Sequence, residues 1–157
     1  MIREVLTCIA EELSTRKFSD KNPAIVSSIK PKIGEHKNQL VISLINIEEE
    51  SSLRNFAQIN NLTAPMLHIN IYVLITAYFN DSDYEESLDC ISRVISFFHQ
   101  KPVFTPQNTT IPEKIIEKFT IEFCNLDVNK IAMLWQTIGT NYMPSVLYKV
   151  QLHYLPG

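Results

Sequence analysis

Apolar residues near the start of the chain recur at Ile2, Val5, Leu6, Ile9 and Leu13, with Arg3, Glu4, Glu11 and Glu12 between them. This three-to-four spacing predicts an amphipathic first helix. It fades over residues 14–17 and is broken at Asn22-Pro23, because a residue before proline is pushed out of the helical region. Residues 24–30 read as a short strand closed by Pro31, and residues 31–38, with Gly34, as an exposed hairpin loop. Residues 39–47 are apolar on both faces, the mark of a central strand covered on two sides. The acidic run Glu48-Glu49-Glu50 then opens a polar connection that ends at Pro65.

A longer period-two pattern follows. Leu67, Ile69, Ile71, Val73, Ile75, Ala77 and Phe79 fall on one face of a predicted strand, and His68, Asn70, Tyr72, Leu74, Thr76 and Tyr78 on the other. After a turn at residues 80–83, Ser82 and Glu85 have capping-box spacing. Tyr84, Leu88, Ile91, Ile95 and Phe98 predict the inward stripe of a second helix, stopped by Lys101-Pro102. Residues 103–112 read as an extended loop. Phe119, Ile121 and Phe123 alternate as a strand. Asp127 is placed to cap a third helix with Val128, Ile131, Leu134, Trp135 and Ile138 inward and Gly139 at its end. Val146, Tyr148, Val150, Leu152 and Tyr154 alternate in a last strand. Strands in a run followed by alternating elements imply an α+β fold. A mixed, mainly antiparallel sheet of about five strands is flanked by about three helices.

Length and composition narrow the function. A chain of 157 residues fits one domain, residues 1–157, and 45% hydrophobic with 20% charged residues is an ordinary globular balance. A net charge of -3 offers no basic surface for nucleic acid and no polybasic block for an anionic membrane. No apolar run approaches the roughly 20 residues of a membrane span. Met1 leads into an amphipathic pattern rather than a signal core. Cys8, Cys90 and Cys124 are an odd number without a CxxC pair, which suits a reduced, cytoplasmic protein. In such a protein the sequons at Asn61, Asn80 and Asn108 have no glycosylation machinery to meet.

Catalytic signatures are missing. With glycine only at positions 34, 139 and 157, no phosphate-cradling loop can form, and GxSxG and HExxH are absent. His68, His153 and Cys124 lie on strand faces where a sheet can bring them together, as a metal site or Cys/His nucleophile, but partly exposed polar residues explain them as well. The acidic run lacks the alternate ligands and turn glycine of a calcium loop, so a solvated turn is the expectation. Trp135 at helical spacing reads as core. No catalytic residue, metal or cofactor is expected. The strands over residues 67–79 and 145–155 are long for so small a domain, and projecting ends or unpaired edges can pair with another chain.

Several ordered segments resemble one family: Ile2-Arg3-Glu4-Val5-Leu6; Val41 to Glu50 followed by Leu53-Arg54-Asn55; Leu67 to Leu74; Tyr84-Glu85-Glu86 with Leu88; Ile95 to Phe98 leading to Pro102-Val103-Phe104; and Leu134-Trp135, Gly139 and Tyr142 to Val150. Together they resemble the N-terminal domain of cap, or tail-terminator, proteins of extracellular contractile injection systems, the antifeeding-prophage and Photorhabdus-virulence-cassette type. The resemblance implies a structural subunit without catalytic residues. Copies of it would form a ring, of six in the family, that ends the inner tube and contractile sheath. Its partners would be itself, tube protein and sheath protein, first in the bacterial cytoplasm and then in the particle. A sheath- or baseplate-associated adaptor is the alternative within the same particle; a small ligand-binding or hydrolytic domain is the alternative outside it. Glu48, Glu49, Glu50, Arg54, Asn55 and Phe104 are the interface candidates. Longer family members carry a further C-terminal region beyond the part matched here.

Overall fold

The computed structural model of the chain describes residues 1–16, 22–29, 38–50, 67–111 and 116–154. Helix α1 covers Ile2–Thr15, α2 Tyr84–Gln100 and α3 Val128–Ile138. The strands are β1 Ile25–Val26, β2 Gln39–Glu49, β3 Leu67–Tyr78, β4 Val103–Phe104, β5 Ile116–Phe123 and β6 Ser145–Tyr154. They form one sheet in the order β1-β2-β3-β6-β5-β4. The β1–β2 pair is parallel and all other pairs are antiparallel. The α+β fold with a mainly antiparallel sheet is thus as expected; the additional strand is the short β4.

Alternation of side chains across the pleat gives the sheet two different faces. On one face Leu40, Ile42, Ile71, Val73, Ile75, Val146, Tyr148, Val150 and Leu152 form the main core with Val5, Ile9 and Leu13 of α1 and Val94, Phe97 and Phe98 of α2. Phe104 of β4 closes this core. It is fully buried, lies parallel to Phe119 with ring centroids 4.8 Å apart, and meets Phe98 at 6.2 Å. Glu12 ties α1 to the segment beyond α2, taking the Lys101 ammonium at 3.0 Å and the Thr109 hydroxyl at 2.6 Å. On the other face a smaller cluster of Ile29, Leu74 and Leu147 holds Trp135 of α3.

Local sequence explains the ends of α3. The Asp127 carboxylate accepts the Lys130 N–H at 2.8 Å, and Gly139 takes a left-handed conformation at φ 78° that a side chain would disfavour.

Four details depart from the sequence pattern. The inward stripe of α2 is Ser87, Cys90, Ile91, Val94, Phe97 and Phe98, so Tyr84, Leu88 and Ile95 face outward. Both stripes have helical spacing, and the pair Phe97–Phe98, which buries more surface, sets the rotation. The capping box fails because a 3-10 turn at Asp81–Asp83 makes Asp83 the N-cap, and its carboxylate is taken by the Asn38 amide at 2.6 Å. A hairpin between residues 24–30 and β2 is excluded: parallel strands need a crossover rather than a hairpin turn. The expected loop itself falls largely on residues 30–37, outside the described residues. Finally, β2 is covered only at its start; Leu44 and Ile47 are 38% and 49% exposed.

Candidate interaction surface

The exposed half of β2 begins at an irregularity. Leu44 pairs with Val73 but Asn46 pairs with Tyr72, so Ile45 is an extra residue, a β-bulge. At Asn46 and Glu48 the strand carries polar side chains toward the face that α3 covers further up, whereas Glu49, the last residue of the strand and the partner of Ile69, lies on the other face. The register extends each into a row across the sheet: Asn46, Tyr72, Lys149 and Glu122; then Glu48, Asn70, Gln151 and Thr120; then His68, His153 and Lys118. Glu49 aside, the opposite face of the same strands stays apolar, with Ile47, Ile71, Val150 and Ile121 in one row.

Hydrogen bonds knit the polar rows. Glu48 accepts the Tyr72 hydroxyl at 3.0 Å and the Asn46 amide at 3.3 Å. Glu50 accepts the Asn70 amide at 3.1 Å, and its own N–H donates to the His68 carbonyl at 2.9 Å. Thr120 donates to Gln151 at 3.3 Å. Partial burial, then the Glu48 bond, raise the Tyr72 hydroxyl pKa above its usual value, because both disfavour the phenolate. His68 and His153 face each other with Nδ1 atoms 3.1 Å apart and rings nearly perpendicular, at 85°. Burial first, then the neighbouring His68 and Lys118, lower the His153 pKa. These carboxylates, amides and imidazoles form one hydrogen-bonded polar patch on the sheet.

Of the sequence-predicted interface residues, Glu48 and Glu49 end β2, exposed, rather than opening a loop, and Glu50 follows half-buried. Arg54 and Asn55 lie outside the described residues. Phe104 is a correction: with no exposed surface and a stacked partner in Phe119, it is core and presents nothing to a partner. His68 and His153 meet, but Cys124 does not join them. Its N–H donates to Leu147 O, and Leu147 lies six residues along β6 from His153, about 20 Å at strand rise. Among the described residues there is no group of three side chains suited to a metal. Sequence reasoning did not single out Asn46, Tyr72, Gln151 and Thr120; the polar alternate positions of the strands were their signal, but the rows appear only once the strands are in register.

Beside this surface an open groove of about 550 Å³ separates α3 from β2, lined by Ile45, Tyr72, Cys124, Leu126, Met133 and Leu134 among others. Val128 and Met133 of α3 are 83% and 67% exposed. Among the described residues no helix is long and apolar enough to cross a membrane.

Two solved structures share this architecture. One is the sheath/tube terminator of an extracellular contractile injection system, PVC, in its extended state: TM-score 0.66, 15% identity, covering 100% of this chain and 57% of that one. The other is the tube terminating cap of the anti-feeding prophage: TM-score 0.63, 12% identity, covering 98% of this chain and 55% of that one. The chain therefore spans little more than half the length of these structural relatives. No curated protein matches the sequence. The family model described as the Pvc16 N-terminal domain matches residues 4–155. With that match running through every strand and helix described above, the chain belongs to the Pvc16 N-terminal domain family.

Proposed function

We propose that the chain is a structural terminator subunit of a contractile injection system, ending the inner tube and the contractile sheath as a ring of identical copies, six by analogy with the family. The observation that supports this reading is the family match over residues 4–155, joined to a fold shared along the whole chain with two terminators. The role is non-enzymatic, and the protein acts in the bacterial cytoplasm during assembly and then as part of the particle.

Physically, a terminator needs one face complementary to the last tube ring and another that cannot continue the polymer. The polar rows around Glu48, together with the strand end at Glu49 and Glu50, are the proposed contact face, with Arg54 and Asn55 next along the chain. Each copy's interface can be modest, because a closed ring presents several at once and the linked contacts multiply. Negative-stain imaging of the purified protein with isolated tubes tests the reading. Rings, and label confined to one tube end, are expected; a chain that stays monomeric at high concentration and ignores tube ends refutes it. Label along the sheath or at the baseplate instead favours the adaptor role.

A further inference from the structure

The geometry points to a second property of the sheet's free end: His68 and His153 form a two-histidine chelate for a divalent transition-metal ion of the nickel, copper or zinc class. The two residues are direct partners across the β3–β6 ladder, 85 positions apart in sequence. Imidazole nitrogen binds such ions at about 2.0–2.1 Å. Two nitrogens around one ion, at bond angles between square and tetrahedral, therefore stand roughly 2.9–3.4 Å apart. The observed Nδ1–Nδ1 separation is 3.1 Å. A hydrogen bond now joins the two rings, which stand nearly perpendicular; an ion would displace that hydrogen and sit roughly 1.3 Å off the line between the two nitrogens.

The backbone holds this bite ready. Both strands are paired along ten residues, from Leu67–Tyr154 to Thr76–Ser145, so closing the chelate orders little that is not already ordered. Metal must displace protons, because coordination uses neutral imidazole. The charged groups acting on the pair are Glu117 and Lys118 on β5, while the Glu50 carboxylate accepts from the Asn70 amide. Lys118 opposes a cation, whereas Glu117 favours one. Without a third protein ligand among the described residues, water completes the coordination. Such a site prefers imidazole-seeking ions and gives magnesium and calcium, which want oxygen cages, no foothold. A bound ion would clamp β3 to β6 near the Leu67–Tyr154 end of their ladder.

Isothermal titration of the full chain with Ni²⁺, Zn²⁺ and Mg²⁺ near neutral pH tests this, with Cu²⁺ paramagnetic resonance as a second readout on the unmodified protein. Expected are one Ni²⁺ or Zn²⁺ per chain, no Mg²⁺ binding, and a copper spectrum with two coupled imidazole nitrogens. His68→Ala and His153→Ala should each weaken Ni²⁺ binding at least tenfold, while His99→Ala, on the exposed face of α2, leaves it unchanged. Equal affinity in all four proteins, or a copper spectrum with fewer than two imidazole nitrogens, overturns the proposal whether or not either alanine variant folds.

Discussion

Replacing Phe104 by alanine separates a core role from an interface role at a position the sequence leaves ambiguous. The ring is fully buried, stacked 2° from parallel on Phe119, edge-on to Phe97 at 6.5 Å, and covered by the Lys101 ammonium 4.7 Å from its centre. Truncation removes roughly 150 Å² of buried apolar surface, about 4 kcal/mol at ~25 cal/mol per Å². That is inside the ~3–5 kcal/mol found for buried Phe→Ala changes, which include the residual cavity. For a chain of this length the melting temperature should fall by about 8–16 °C. Phe104→Leu keeps most of the volume and should cost under ~1.5 kcal/mol. Urea unfolding followed by circular dichroism gives both numbers. A Phe104→Ala cost below ~1 kcal/mol, together with lost ring formation, would show that the side chain serves an interface and that the core assignment is wrong.

Other changes probe separate parts of the structure. Asp127→Ala removes the α3 cap and should cost ~1 kcal/mol, and Gly139→Ala, at φ 78°, a similar amount; both are read by urea midpoints. Val128→Ser and Met133→Ser on the exposed side of α3 should stay within ~0.5 kcal/mol of the wild type, so any loss of ring or tube binding there reports an interface. The buried Tyr148 hydroxyl has no hydrogen-bond partner among the described residues, so Tyr148→Phe should be neutral or stabilising by up to ~1 kcal/mol in the same assay. Burial raises the Cys8 thiol above its ordinary 9.0 and the Tyr148 hydroxyl above 10.0. The unfolded chain therefore releases these protons first, and stability present at neutral pH is lost as pH climbs past 9. Denaturation midpoints at stepped alkaline pH should fall less steeply in Tyr148→Phe, and an identical slope would count against the burial argument.

The sequence by itself determined the kind and order of the major elements and the inward face of β3 and β6, because a period of two or of 3.6 is written into side-chain order before any contact forms. It also located α3 between Asp127 and Gly139, since a cap and a left-handed glycine act within a few residues. Tertiary structure decided what depends on distant neighbours. The rotation of α2 followed from the burial of Phe97 and Phe98 against Phe104 and Tyr148, not from a helical spacing that two stripes satisfy equally. Phe104, in a proline-rich stretch without period, became core only when β4 paired with β5. The parallel placement of β1, the bulge at Ile45 and the polar rows from Glu48 to Thr120 depend on strand register. So does the meeting of His68 with His153 while Cys124 stays apart. Register couples residues far apart in the chain, and the pattern along any one strand does not encode it.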